Sequence, residues 1–221
     1  MKNTLHYCMR EQLKGMAIVV ASVFFFVLFI LFISASEGDS VFVSLIPGLL
    51  WQIFPVFAFV YFFSMQYSFA RKESLVMLAM GETRRHIAIG RQFASAACVI
   101  EGAAIFLIGK ALDTNYASNI DGYVQFTFMS CISLMIAGLG LGMIMSFIER
   151  KYGIIGFSIS MAITIFIIAI LCFYGRFVIG DLLESYRFSA FVGGIFLLAI
   201  VLYVSGSFLS KLDIERMELR V

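Results

Sequence analysis

Six long apolar runs divide this sequence and constrain its fold more than any other feature. A hydrocarbon core of about 30 Å requires roughly 20 apolar residues of helix. Runs of about that length cover residues 16–34, 45–66, 92–109, 124–147, 154–174 and 190–209. They are continuous rather than alternating, and a backbone in lipid must satisfy its own hydrogen bonds, so helices are favoured over a barrel. The sequence therefore predicts an all-α integral membrane protein with six transmembrane helices in a single domain, residues 1–221.

The composition agrees with this prediction. Hydrophobic residues make up 62% of the chain and charged residues 14%, against about half and a quarter in a soluble domain. No charge occurs from Gly15 to Ser36 or from Gly153 to Gly175, whereas seven charged residues occur from Arg71 to Arg91. This segregation is typical of spans separated by wetted loops. The net charge of +2 gives no indication of nucleic-acid binding.

The lysines and arginines predict the orientation in the membrane. With a cytoplasmic N-terminus, the inner segments hold thirteen basic residues and the outer loops hold three. Cytoplasmic loops are enriched in basic residues, so both termini are predicted to be cytoplasmic. The outer loops cover about 35–44, 110–123 and 175–189, and are too short to fold as a domain. Function is therefore expected in the bundle or on its cytoplasmic face.

The N-terminal segment, residues 3–14, has apolar residues at helical spacing opposed by basic ones. This pattern favours an interfacial amphipathic helix over an ordinary charged flank of the first span. The apolar run that follows is longer than the roughly 7–15 residues of a signal-peptide core, so a retained span is predicted. Cys8 lies in this basic segment, and Cys98, Cys131 and Cys172 lie in apolar runs. Free thiols are therefore expected rather than disulfides.

The longest cytoplasmic loop, residues 68–91, carries the most specific pattern. Good helix formers from Ser74 to Met80 precede Gly81, a natural helix stop, and Thr83 is a suitable N-cap for a helix continuing into the third span. The positive-inside tendency accounts for the basic residues alone. It does not account for an apolar helical stretch closed by glycine and followed by Thr-Arg-Arg-x-Ile. The sequence thus predicts a short helix across the cytoplasmic surface, followed by a basic re-entry.

The stretch from Glu73 to Ile87 resembles the segment that follows the second span in permease subunits of ABC exporters. Its centre reads Leu78-Ala79-Met80-Gly81-x-Thr83-Arg84-Arg85-x-Ile87. The six spans, short outer loops, amphipathic N-terminal segment and basic C-terminal tail resemble the type-2 exporter permeases in particular. The same run is similar to permeases of the macrolide-exporter and cell-division class. Those have four spans and a large external domain that this chain lacks, so the six-span plan is preferred.

The resemblance implies that the loop is a coupling helix that docks in a groove of a separate ATPase subunit. On that basis the candidate ATPase-coupling residues are Leu75, Met77, Leu78, Met80, Gly81, Thr83, Arg84 and Arg85. The turn Glu149-Arg150-Lys151 is a second candidate contact, with a plain solvated loop as the alternative. The resemblance further implies a second permease subunit, in a homo- or heterodimer, and a bacterial cytoplasmic membrane.

Motifs for catalysis or metal binding are absent from the sequence. It has no Gly-x-x-x-x-Gly-Lys-Ser/Thr phosphate loop, so ATP and magnesium are expected on the partner ATPase and the chain itself is not expected to be an enzyme. The two histidines, His6 and His86, form no zinc motif. No catalytic residue, metal ligand or cofactor site is assigned to this chain.

Glu101 is the one acidic residue predicted at mid-membrane. A carboxylate there costs at least a few kcal/mol, so one interpretation is functional, as a substrate contact, a proton site or an interhelix tether. The other is a protonated acid hydrogen-bonded to a serine or threonine of a neighbouring helix. Gly138, Gly140 and Gly142 have a spacing that permits close helix contact, and a packing role is predicted for them.

Together with this resemblance to exporter permeases, the sequence predicts that the chain is the transmembrane permease subunit of an ATP-driven exporter. It would move a peptide, lipid-like or drug-like substrate out of the cytoplasm or inner leaflet by alternating access. The alternative is a non-transporting membrane sensor, immunity or assembly protein that uses the same loop to bind a cytoplasmic partner. A secondary transporter is a third interpretation and rests on Glu101 alone.

Overall fold

A computed structural model describes residues 2–36, 46–69, 77–78, 81, 83–111, 121–182 and 188–216. This part of the chain is all-helical, which confirms the predicted fold class to that extent. Its long helices are α1 (Lys2–Ser36), α2 (Ile46–Ser68), α3 (Arg84–Ala111), α4 (Asp121–Leu182) and α5 (Phe188–Arg216). Four stretches of the described residues are long and apolar enough to cross a membrane: His6–Phe29, Arg84–Ala111, Phe128–Thr164 and Gly193–Leu212.

Helix α4 consists of two helical arms joined at Gly153. This glycine has φ 71° and ψ −167°, a conformation that residues with a side chain rarely adopt, so the helix bends there. The arms, residues 121–152 and 154–182, contain the predicted spans 124–147 and 154–174. The predicted turn at Glu149–Lys151 is wrong in position, because these three residues are helical and the bend follows at Gly153.

Helix α1 is a single helix of 35 residues. Its buried residues include positions 8, 12, 16, 19, 23 and 27, a spacing that places them on one face along its length. The helix continues through Gly15. A Cβ at this position would overlap the Tyr61 ring of α2, so glycine permits the close approach of the two helices. No break separates the predicted interfacial helix 3–14 from the first span, and its position in the membrane interface stays a prediction. That segment is the first part of α1, and its buried face packs with the rest of the helix.

The main core lies where α1, α2, α3 and the first arm of α4 meet. Its largest side chains include Met16, Phe54, Phe62, Phe106 and Met135. Outside it, large apolar side chains are exposed, such as Phe25 at 69% and Ile155 at 72%, as expected for helices that face lipid. Cys8, Cys98 and Cys131 are buried and form no disulfide with one another, as predicted for them. The side chain of Cys172 lies outside the described residues.

The glycines of α4 allow close packing on two of its faces. Gly138 and Gly142 face α2, and a Cβ at Gly138 would lie 2.7 Å from the carbonyl oxygen of Phe59. Gly140 faces α5, where a Cβ would lie 2.6 Å from the carbonyl carbon of Leu202. Small residues that let backbones approach are a common basis of helix packing in membranes. The predicted packing role is confirmed.

Candidate functional site

The loop after α2 ends in a glycine turn and a helix cap. Gly81 has φ 83°, and its N–H donates to the carbonyl oxygen of Leu78 at 3.0 Å, as at a left-handed helix end. Thr83 then caps α3. Its Oγ1 accepts from the His86 N–H at 3.4 Å and its carbonyl oxygen from the Ile87 N–H at 3.0 Å. The predicted N-cap at Thr83 is confirmed. Gly81 has the left-handed conformation of a helix stop, and most of the predicted helix before it lies outside the described residues.

Replacement of Gly81 by alanine should loosen this turn. A left-handed residue with a Cβ costs roughly 1–2 kcal/mol. No atom of the described residues lies within 4 Å of that Cβ, so the expected cost is conformational. We expect faster amide hydrogen exchange in residues 77–90 and unchanged exchange in α5. Gly81→Asn is the matched control, because asparagine tolerates this conformation. Equal exchange in the two variants would contradict the assigned role of the turn.

Met77 attaches the loop to the helices beneath it. Its side chain is 3% exposed. It belongs to a buried cluster drawn from α1, the end of α2 and α3, formed with Cys8, Phe69, Ile87 and Ala94, and Leu78 packs against this cluster. Met77 therefore lies in the core and not on the surface, which corrects its predicted place as a surface contact for a partner. It holds the loop against three helices instead.

The other predicted coupling residues differ in accessibility. Gly81, Thr83 and Arg85 are exposed, whereas Leu78 and Arg84 are partly buried. Leu75 and Met80 lie outside the described residues. Arg85 is thus a charged side chain of the loop that an approaching partner would meet directly, and the coupling role of these residues stays a prediction.

Below the loop, Arg91 joins three helices through hydrogen bonds. It lies about two turns into α3 and is 4% exposed. Its Nε donates to Gln66 Oε1 at 2.5 Å, its Nη2 to the Gln66 carbonyl oxygen at 3.1 Å, and its Nη1 to Ser210 Oγ of α5. Gln66 Nε2 donates to Ser95 Oγ at 2.6 Å, and Ser95 Oγ donates to the Arg91 carbonyl oxygen at 2.9 Å. We call these four residues the Arg91 network.

The burial of the Arg91 network makes it a rigid connection. Gln66 and Ser95 are each 1% exposed and Ser210 is 6% exposed. The guanidinium also lies over the Phe69 ring, 5.1 Å from its centroid, within range of a cation–π interaction. Hydrogen bonds to a charged group are stronger than neutral ones and are costly to leave unmade when buried. The end of α2, from which the loop departs, is therefore fixed to α3 and α5.

A second polar contact fixes α2 to α4. The Tyr67 hydroxyl donates to Glu149 Oε2, and the Tyr67 ring stacks on Phe63 with 3° between the ring planes. Glu149 is therefore engaged within the chain, which differs from its prediction as a partner contact. Arg150 is partly buried and Lys151 is exposed, and their role in a second contact stays a prediction.

The Arg91 network was not predicted from the sequence, because Arg91 is one of the basic residues of the predicted cytoplasmic loop 68–91. A usable signal was present. Arg91 and Ser95 are one helical turn apart and share a face, and Gln66 stands at the end of the preceding apolar run. Polar side chains near the ends of neighbouring spans tend to pair across helices, since an unsatisfied polar group in lipid is costly.

Glu101 lies apart from the network, in an apolar groove of about 680 Å³ between α1 and α3. Met16, Phe24 and Ile105 are among the side chains that line the groove. The carboxyl Oε2 is buried and has no hydrogen-bond partner within the described part of the chain. Among the described residues, no serine or threonine therefore bonds this oxygen, as the interpretation of Glu101 as a protonated, hydrogen-bonded acid would require. The functional interpretations stay predictions.

Comparison of the chain with protein-family models, with curated proteins and with solved structures gives no match. Within the described residues, no three His, Cys, Asp or Glu side chains lie close enough together to hold a metal ion. The features of the described residues that bear on function are the loop, its attachment to the core and the Arg91 network.

Proposed function

We propose that the chain is the transmembrane permease subunit of an ATP-driven type-2 ABC exporter of the bacterial cytoplasmic membrane. The observation that carries the proposal is the attachment of the loop after α2. Met77 packs in the core, and the helix from which the loop departs is bonded to α3 and α5 by the Arg91 network. A loop that only connects two spans in water does not require such an attachment.

The proposed mechanism uses this attachment to move the bundle. A separate ATPase subunit, which holds ATP and magnesium, closes on ATP and displaces the loop. Gln66 passes the displacement to α3 and α5, and Tyr67 passes it to α4 through Glu149. Packed helices respond by shifting as units rather than by deforming. The bundle, paired with a second permease subunit, then opens outward and releases a peptide, lipid-like or drug-like substrate.

Six spans with both termini in the cytoplasm complete the proposal. A straight helix of 62 residues would extend about 90 Å, three times the roughly 30 Å of the hydrocarbon core. We therefore assign the two arms of α4 to separate spans, with Gly153 at the cytoplasmic return. The excess of lysine and arginine in the inner segments supports this orientation.

A charge reversal at Arg85 is expected to weaken partner binding. The full-length chain is solubilised from native membranes, and co-purifying proteins are identified and assayed for ATPase activity. We expect the wild-type chain to recover an ATP-binding subunit and Arg85→Glu to recover at least about tenfold less, the effect of losing roughly 1.4 kcal/mol. Arg85 is exposed, so the substitution should leave the fold intact.

Lys110→Glu is the matched control, since it reverses a basic charge at the opposite end of α3. It should recover the ATPase as the wild-type chain does. Equal losses of ATPase recovery in the two variants would show that the loop is not the binding interface. Recovery of a stable partner that is not an ATPase would contradict the exporter function and favour the alternative, a sensor, immunity or assembly protein.

A further inference from the structure

A second cavity, of about 310 Å³, lies between α1, α2 and α3 beside the Arg91 network. Gln12 lines it from α1 and is only 2% exposed. Neither Oε1 nor Nε2 of this side chain has a hydrogen-bond partner among the described residues. The Gln12 carbonyl oxygen accepts from the Tyr61 hydroxyl at 3.2 Å, so the backbone is held in place while the amide is left unsatisfied.

An amide buried with both ends unpaired is unfavourable and is rare in native structures. It becomes favourable when a bound molecule supplies the missing partners. A primary amide offers two N–H donors and one acceptor oxygen. The molecule that satisfies Gln12 therefore needs an acceptor for Nε2 and a donor for Oε1.

The charges of the lining favour an anion. Lys14 and Arg91 contribute two positive charges and Glu11 one negative charge. Glu11 pairs with Lys14 at 2.6 Å, so these two charges largely offset each other and Arg91 leaves the cavity positive on balance. A phosphate group accepts hydrogen bonds from an amide N–H and from cationic side chains. A hydroxyl next to that phosphate supplies the donor that Gln12 Oε1 lacks.

The position of the cavity along α1 favours a lipid as the source of this phosphate. The charge-free run of α1 begins at Gly15, directly after Lys14, so the cavity lies where hydrocarbon gives way to headgroups. Further along α1 the lining becomes apolar at Ile18, which is 65% exposed. That surface offers a path for an acyl chain outside the bundle while the headgroup enters beside Gln12.

We infer that this cavity binds the headgroup of an anionic, hydroxyl-bearing glycerophospholipid, whose phosphate and hydroxyl groups satisfy the Gln12 amide. The lipid holds α1 against α2 and α3 at the level of the Arg91 network. This inference is independent of the proposed exporter function, because it requires only a chain embedded in a bilayer.

The first test measures headgroup preference on the unmodified full-length chain. Native mass spectrometry in detergent compares retention of phosphatidylglycerol with that of phosphatidylcholine, supplied as an equimolar mixture with identical acyl chains. We expect about fivefold or greater retention of phosphatidylglycerol, given the charge-assisted hydrogen bonds available. Equal retention of the two lipids overturns the inference.

The second test locates the preference at Gln12. Phosphatidylglycerol should raise the Tm of the wild-type chain by about 5 °C, and Gln12→Met, which keeps the volume and removes the amide, should lose that rise. Gln92→Met makes the same chemical change at an exposed position of α3 outside this cavity and should keep it. An equal rise in both variants overturns the assignment to Gln12, and an equal rise with inorganic phosphate alone overturns the lipid as the source.

Discussion

Gly140→Ala is expected to lower the free energy of unfolding by about 2 kcal/mol, a typical cost of overpacking. The added methyl group would lie 2.6 Å from backbone atoms of Leu202 and Tyr203 on α5, and backbone cannot move aside as a flexible side chain can. A Cβ placed on Gly206 of α5 would likewise lie 2.6 Å from the Gly140 carbonyl oxygen. The two helices therefore pack together at a pair of glycines. Separating them loses contacts that supply much of the packing energy of helices in lipid.

The measurement is thermal unfolding of the purified chain in detergent, with Gly193→Ala as the control. Gly193 also lies in a helix, but no atom in the described part of the chain stands within 4 Å of its Cβ position. Alanine there should raise stability by about 0.5–1 kcal/mol through its better helix propensity. Opposite signs for the two substitutions would establish the tight α4–α5 contact. A Gly140→Ala chain as stable as the wild type would contradict it.

The helices of this protein could be predicted because their signals are local. Apolar length marks the spans, and the chemistry of Gly81 and Thr83 marks the end of one helical turn and the start of α3. The continuity of segment 3–14 with the first span was not predicted, for a physical reason. Charges at Arg10 and Lys14 suggest a change of environment, yet the buried face of α1 continues past them because α2 and α3 pack beside it.

The candidate site could be predicted only in part, because its connections join residues far apart in the sequence. Ser210 lies 119 residues from Arg91, and no local pattern indicates that the two meet. The positive-inside tendency assigns arginines to the membrane boundary, but it does not distinguish a solvated arginine from a buried one. Met77 shows the same limit, since an apolar residue in a loop suits a partner's groove and this chain's own core equally well.

Arg91→Met is the second substitution with a large expected effect, a loss of about 3 kcal/mol in the free energy of unfolding. Methionine keeps much of the apolar stem and relieves the desolvation of the guanidinium. It also removes the donors to Gln66 Oε1, the Gln66 carbonyl oxygen and Ser210 Oγ. Buried acceptors left without a donor cost roughly 1–3 kcal/mol each, so the losses exceed the relief. Arg85→Met, at an exposed position, should change stability by about 0.5 kcal/mol or less.

A double-mutant cycle separates a connected network from three independent contacts. Ser210→Ala alone should cost about 1 kcal/mol, and in an Arg91→Met background it should cost almost nothing, because its partner is already gone. Arg91→Lys sharpens the test, since lysine keeps the charge and cannot reach two helices with a planar fork; it should behave like Arg91→Met. Additive losses in the cycle would show that Arg91 does not bond α3 to α5. The loop would then have no path to α5 through this residue, and the mechanism proposed for the permease would fail at that step.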